Sequence, residues 1–333
     1  MRETLIRQSD AQSSVPIVAV DAESLETVLT GLGETAKVWC RANGYSPKPS
    51  SFQLVPGLSG DLQAVLFGVD SGGNADPFSL GSLANALPSG DYHLADGFPG
   101  AAEASLAFAL SSYKFDRYSA SSNKKVVRLC VPSEVDLDRL SAVLDGVQLA
   151  RDLINTPAND LGPEELASAV EALFVENGGS GQIIVGDDLL RHGFPMVHAV
   201  GRASSRAPRI ADYSWGAEDA PRVTLVGKGV IFDTGGLNLK PGNSMTLMKK
   251  DMGGAANVLG LASMIMAAKL PVRLRVIVPC VENAVSGNAF RPGDILDSRK
   301  GLTVEIGNTD AEGRLILADA LALADEESPE VLI

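Results

Sequence analysis

Along the first 131 residues, short apolar runs alternate with stretches of helical spacing. VPIVAV (15–20), LQAVLFGV (62–69) and KVVRLCV (125–131) read as strands, because near-continuous apolar runs of this length suit a buried pleated segment. Between them, Ser24 to Leu32 and Ala101 to Leu110 carry helical periodicity. A small α/β domain over 1–132 is predicted. The polar cluster Ser119 to Lys125 and the step Val131-Pro132-Ser133 interrupt the pattern.

A long helix follows. Leu137, Leu140, Val143, Leu144, Val147, Ala150 and Ile154 recur at spacings of three and four, and Ser133 and Asp136 supply capping chemistry at its start. Beyond Asn155-Thr156-Pro157 the chain reads as strand and helix in turn: GQIIVG, RVTLVGKGV, an apolar small-residue helix from Gly253 to Ala268, VRLRVIVPCVENA and LTVEIGN. The expected second domain, 133–333, opens with the bridging helix and holds a mixed, largely parallel sheet flanked by helices. The residues Pro329 to Ile333 read as a strand entering that sheet.

Composition fits a globular protein of two domains: 333 residues, 45% apolar and 21% charged, with 34 glycines and 18 prolines spread without period. The formal charge of −13, with no basic run, makes nucleic acid and anionic membrane poor default partners. Clustered carboxylates can instead bind divalent cations. Cys40, Cys130 and Cys280 are odd in number and far apart, so neither a disulfide framework nor a thiolate zinc site is indicated. The first twenty residues lack a signal-peptide core and no segment has the length of a membrane span, which predicts a cytoplasmic protein.

Polar residues crowd two places where strands should end. One is the segment from Val226-Gly-Lys-Gly to Lys249-Lys-Asp-Met-Gly-Gly, and the other is Asn308-Thr-Asp-Ala-Glu-Gly-Arg314. Ligand sites of open α/β sheets assemble at the carboxyl ends of strands, so Lys228, Asp233, Lys240, Asp251, Asp310, Glu312 and Arg314 are candidates to converge. Four converging carboxylates repel one another unless cations neutralise them, and two divalent ions balance four negative charges. Two-metal hydrolases use this arrangement, with ions roughly 3.5–4 Å apart. Histidines 93, 192 and 198 all precede these segments and form no ligand spacing, and no GxSxG elbow is present. GKGVIFDTGG matches neither phosphate-binding fingerprint. Glu282, Asn283 and Asp294, near the end of the VRLRVIVPCVENA strand, could equally support the site or satisfy a loop. Taken one at a time, each carboxylate could be a turn former or helix cap; it is their joint order and spacing that point to chemistry.

At VGKGVIFDTGGLNLKPGNSMTLMKKDMGGAANV and NTDAEGRLILADAL the sequence closely resembles the leucyl (cytosol) aminopeptidase family, with secondary echoes at SSYKFDRY and INTPANDLGPEELA. The resemblance implies a two-metal aminopeptidase that removes leucine and other apolar residues from peptides with a free N-terminus, through a metal-bound hydroxide. Two ions per subunit, Zn2+ or Mn2+, would be held by Lys228, Asp233, Asp251, Asp310 and Glu312, with Asp233 and Glu312 shared between them. Lysine ligates only as the neutral amine, so the ions must depress its pKa far below about 10.4. Lys240 would steady the oxyanion, Arg314 would hold a bicarbonate ion, and Met248 would line the pocket for the first side chain. Homohexamers are the family's usual assembly. The resemblance also implies a continuation of the chain past the strand where this sequence stops. An inactive, truncated metal-binding module is therefore one alternative. A second is a peptidase that also contacts DNA, which the net charge opposes.

Overall fold

Burial along the strands follows their apolar runs, and the computed structural model shows how those runs are stacked. It describes residues 1–70, 76, 78–119 and 125–333, so the predicted polar cluster at Ser119 to Lys125 lies outside the described residues except at its two ends. The chain forms two units, Met1–Leu144 and Asp145–Ile333. The division falls inside the helix Leu137–Asn155.

In the first unit the strands are β1 (Leu5–Arg7), β2 (Val15–Val20), β3 (Phe52–Pro56), β4 (Leu62–Gly68), β5 (Gly90–Leu94) and β6 (Val127–Val131). They form one sheet ordered β1-β6-β5-β2-β4-β3. Every neighbouring pair is parallel except β3 with β4. Ile17, Phe67, Tyr92, Phe108 and Leu129 fill one core of the unit, and Val20, Leu29, Cys40 and Val55 fill another.

The strands of the second unit are β7 (Ser180–Val185), β8 (Arg209–Trp215), β9 (Arg222–Val226), β10 (Gly229–Asp233), β11 (Arg273–Asn283), β12 (Ile295–Asp297), β13 (Thr303–Glu305) and β14 (Val331–Leu332). The main sheet is mixed. Strands β9 and β10 lie parallel to β11 and β14 lies parallel to β9, whereas β8 runs antiparallel to both β11 and β7. The LTVEIGN strand does not join this sheet: β13 pairs antiparallel with β12. Strand β11 is buried on both faces, as a central strand must be. Leu274, Val276, Val278 and Cys280 pack in the core that contains Leu166, Phe174 and Leu259 from the helices Pro163–Glu176 and Gly253–Ala267. Ile277 and Val281 pack on the other side with Val197, Leu315 and Ile316 from the helices Pro195–Gly201 and Glu312–Asp325.

The RVTLVGKGV run, expected as one strand, is divided. Both halves pair with the same edge of β11, Arg222 to Val226 along Arg273 to Ile277 and Gly229 onward from Cys280, with Gly227-Lys228 as the interruption. At the break the Lys228 carbonyl leaves the ladder and accepts the Ala255 N–H at 2.9 Å, near the start of the helix Gly253–Ala267. The strand yields because that backbone bond and the helix end compete for the same peptide unit.

Two helices of this unit touch through glycine. A Cβ on Gly260 would lie 2.6 Å from the Gly146 carbonyl oxygen, and one on Gly146 would lie 2.5 Å from that of Gly260. Gly260→Ala should therefore destabilise the protein by about 1–3 kcal/mol, although alanine is the better helix former by roughly 1 kcal/mol. Urea unfolding followed by circular dichroism measures this; a variant as stable as the parent contradicts it.

Candidate metal centre

Four separate segments deliver charged side chains to the carboxyl end of β10. Asp233 is the last residue of that strand, and Lys228 sits at the break just before it. Asp251 lies in the short 3-10 turn Met248–Met252 that leads into the helix Gly253–Ala267. Asp310 lies in the turn Thr309–Ala311, whose N-cap Asn308 accepts the Asp310 N–H at 2.8 Å through its side chain, and Glu312 begins the helix Glu312–Asp325. A carboxylate at a helix start is favoured by the unpaired N–H groups there. Lys240 comes from the loop after Gly235 and Gly236, both at positive φ.

The charges are interleaved. Lys228 Nζ lies 2.8 Å from Asp251 Oδ2 and 2.8 Å from Glu312 Oε1, and Lys240 Nζ lies 2.9 Å from Asp233 Oδ2 and also contacts Asp310 Oδ1. Asp233, Asp310 and Glu312 each offer a carboxylate oxygen within 4.8 Å of the others. Burial works against the charge of Lys228, but its contacts with Asp251 and Glu312 outweigh burial and hold it above the ordinary lysine value. The same balance, with Asp310 and Asp233 as partners, raises Lys240. Glu312 is 1% exposed, and burial pushes its carboxyl up from 4.5 to about 7 against the pull of Lys228. Its Oε2 is buried without a hydrogen-bond partner. A stranded buried carboxylate oxygen, beside two more carboxylates within ligand distance, fits a divalent cation; oxygen donors with one amine suit zinc, manganese or magnesium alike.

Close approach constrains the site as well. A Cβ on Gly313 would lie 2.5 Å from Lys228 Cε, so any other residue there displaces the lysine. Residues that the sequence left in the background hold the loops together. Thr309 Oγ1 donates to the Gly235 carbonyl at 2.6 Å and accepts the Asn238 N–H at 2.8 Å, while the Thr309 N–H donates to Asn238 Oδ1 at 2.8 Å. Asp233 Oδ1 accepts from the Gly235 N–H and from Asn283 Nδ2, each at 2.8 Å. Of these, Asn283 stood out in the sequence by its place near a strand end, whereas Thr309 and Asn238 offered only polarity within the two crowded segments. Glu282 turns elsewhere and accepts from Ser204 Oγ, and Asp294 accepts the Arg291 N–H in a turn.

Six of the predicted residues, Lys228, Asp233, Lys240, Asp251, Asp310 and Glu312, thus share one cluster. Arg314 is exposed on the helix Glu312–Asp325, and its side chain makes no hydrogen bond or ion pair among the described residues. Met248 is half-buried at the start of the turn that carries Asp251. The histidines stay outside the cluster: His93 meets Ser14, His198 meets Asp187, and the His192 carbonyl accepts from Arg299.

Fold and site together define a two-unit α/β protein whose second unit carries a carboxylate and lysine centre able to hold a metal. Comparison with known proteins narrows this class. Residues 148–333 match the catalytic domain of the cytosol aminopeptidase family, and residues 15–132 match the N-terminal domain of M17 aminopeptidases. The chain belongs to the M17 cytosol aminopeptidase family. It is 43% identical over 239 residues to a probable cytosol aminopeptidase of Syntrophotalea carbinolica, an alignment covering 67% of this chain and 48% of that protein. The chain thus spans about half the length of the curated relatives it matches. The crystal structure of the cytosol aminopeptidase from Coxiella burnetii superposes with a TM-score of 0.93 at 42% identity, over 99% of this chain and 72% of that one. The bottromycin maturation enzyme BotP, in complex with Mn, superposes with a TM-score of 0.79 at 31% identity, over 96% of this chain and 70% of that one. Among the described residues, no helix is long and apolar enough to cross a membrane.

The raised Glu312 carboxyl carries a pH signature. A group whose folded pKa exceeds its unfolded one stabilises the fold fully below the unfolded value, here 4.5, and that contribution is lost as pH rises through about 7. Glu312→Gln, which cannot titrate, should therefore gain thermal stability relative to the parent between pH 5 and pH 8 when both are stripped with EDTA. A difference in melting temperature that stays constant across that range refutes it.

Proposed function

We propose that this chain provides the catalytic machinery of a metal-dependent aminopeptidase that removes the first residue, leucine or another apolar one, from peptides. The observation that carries the reading is the convergence of four carboxylates and two lysines from four separated segments at one strand end. Membership in the cytosol aminopeptidase family supports the same activity.

In this reading Lys228, Asp233, Asp251, Asp310 and Glu312 hold two divalent ions, zinc or manganese. When bound, the ions supply Lewis acidity and lower the pKa of the attacking water. Lys228 would join the ligands as the neutral amine, although Asp251 and Glu312 by themselves favour its protonated form. Lys240 keeps its proton and stands beside Asp233 and Asp310, placed to stabilise negative charge gathering on the scissile carbonyl oxygen. Arg314, whose side chain is exposed and uncommitted among the described residues, would hold a bicarbonate ion through forked contacts of its guanidinium. Met248 offers an apolar wall for the first side chain, and the exposed Leu237, Leu239 and Leu247 extend apolar surface along the same segments. A free, neutral amino terminus is required because a blocked one cannot act as a donor to a cation. A cytoplasmic setting and a homohexameric assembly complete the reading, the first supported by the relatives' name and the second by the family resemblance.

The test is hydrolysis of leucine p-nitroanilide with added Mn2+ or Zn2+ against EDTA, with metal content measured. Activity should require metal and vanish on the N-acetylated substrate. Asp251→Ala and Glu312→Ala should each lose more than about a hundredfold, since removing even an outer partner of a metal ligand costs roughly 10–100-fold. Lys240→Ala should lower kcat by about 10²–10³ while moving KM little. Parent-rate cleavage by a folded Glu312→Ala protein defeats the proposal.

A further inference from the structure

Asn283 ends β11 and is fully buried. Both side-chain N–H donors are used, one on Asp233 Oδ1 at 2.8 Å and the other on the Thr309 carbonyl at 3.1 Å. The Thr309 carbonyl belongs to the peptide unit that leads directly into Asp310. On its main chain, Asn283 accepts from Thr234 N–H at 3.2 Å and from Thr234 Oγ1 at 2.8 Å, fixing the residue next to Asp233. A single residue therefore grips two of the three segments that bring carboxylates to the centre.

The side-chain Oδ1 of Asn283 is buried with no hydrogen-bond partner. Turning the amide over does not help, because it would set the oxygen against two acceptors and strand both N–H groups. Burying an acceptor without a donor is unfavourable, and an apolar side chain would fill the space without that cost. What only the amide supplies is a pair of donors aimed at acceptors on two different loops. There is also little slack, since a Cβ on Gly236 would come within 3.0 Å of this oxygen.

We propose that Asn283 is a positioning residue for the metal centre, a planar clamp that sets the separation between Asp233 and the turn carrying Asp310 and Glu312. The inference rests on the metal-binding reading of those three carboxylates. Held at Oδ1 by Asn283 and the Gly235 N–H, Asp233 keeps Oδ2 free of backbone donors and turned toward the Lys240 and Asp310 side of the cluster. Without the clamp the carboxylate can rotate and the 309–312 turn can drift, so the ligand oxygens spend less time at a common distance. A cation then binds more weakly even though every ligand is present.

The experiment measures the Mn2+ dissociation constant by isothermal titration calorimetry on the full chain, as parent, Asn283→Ala and Asn283→Ser, together with the melting temperature of each metal-free protein. Asn283→Ala should bind Mn2+ about 10–100-fold more weakly than the parent, and Asn283→Ser, whose single hydroxyl donor cannot serve both acceptors, should also bind it about 10-fold more weakly. A merely structural role lowers the melting temperature and leaves the dissociation constant of the folded protein within twofold of the parent, and that result overturns the proposal. If Asn283→Ala does not fold, Asn283→Ser decides by the same criterion. Failure of the parent to bind Mn2+ saturably overturns the metal-binding reading and this inference with it, whereas binding by the parent with unchanged variants overturns this inference alone.

Discussion

Charge balance in a confined space is the condition on which the second unit depends. Asp233, Asp251, Asp310 and Glu312 are brought together with only two ammonium groups among them, Lys228 between Asp251 and Glu312 and Lys240 between Asp233 and Asp310. Like charges at such distances repel strongly where water is scarce, so the cluster exists only with cations inserted between its members. Much of the local backbone serves that insertion. Strand pairing breaks at Gly227-Lys228 so that the lysine can leave the sheet, and Gly313 carries no side chain so that the lysine stem can pass.

Other buried charges in the same unit mark the contrast. Asp319, fully buried on the helix Glu312–Asp325, accepts the N–H groups of Met196 and Arg299 at 2.8 Å and of Val197 at 3.3 Å. Burial still raises its carboxyl above the ordinary value, but both oxygens have donors and its role is to fix the helix Pro195–Gly201 and the 299 turn. Arg275 makes a forked pair with Asp212 at 2.7 and 2.8 Å. Glu312 lacks that satisfaction at Oε2, and a carboxylate oxygen left open in a well-packed interior calls for a specific explanation, for which a cation beside Asp233 and Asp310 suffices. The cluster is open at one edge: Lys228 is 28% exposed and Asp310 33%, whereas Asp319 is fully buried.

How much of this was legible in the sequence follows from how far each constraint reaches along the chain. Apolar runs act locally, so β2, β4, β6, β11 and the helices Leu137–Asn155 and Gly253–Ala267 could be read directly from their periodicity. Strands β1, β3 and β5 could not, since LIR, FQLVP and GDYHL are short or polar and become strands only because an apolar neighbour pairs with them. The one-strand reading of RVTLVGKGV failed for a related reason: local pattern cannot foresee that a helix start further along the chain, at Ala255, will claim the Lys228 carbonyl.

The sequence by itself determined which residue types could perform chemistry and in what order they stand, because dense carboxylates and lysines flanked by glycine are a local and specific pattern. It also showed no ligand spacing of histidines and no pairing of cysteines. Only the tertiary structure decided which of those side chains meet, which loop holds which, and that Asn283, Thr309 and Asn238 tie the loops together. Those hydrogen bonds join residues 26 to 74 positions apart, and a contact of that span depends on sheet register and helix packing, which no local stretch of sequence specifies.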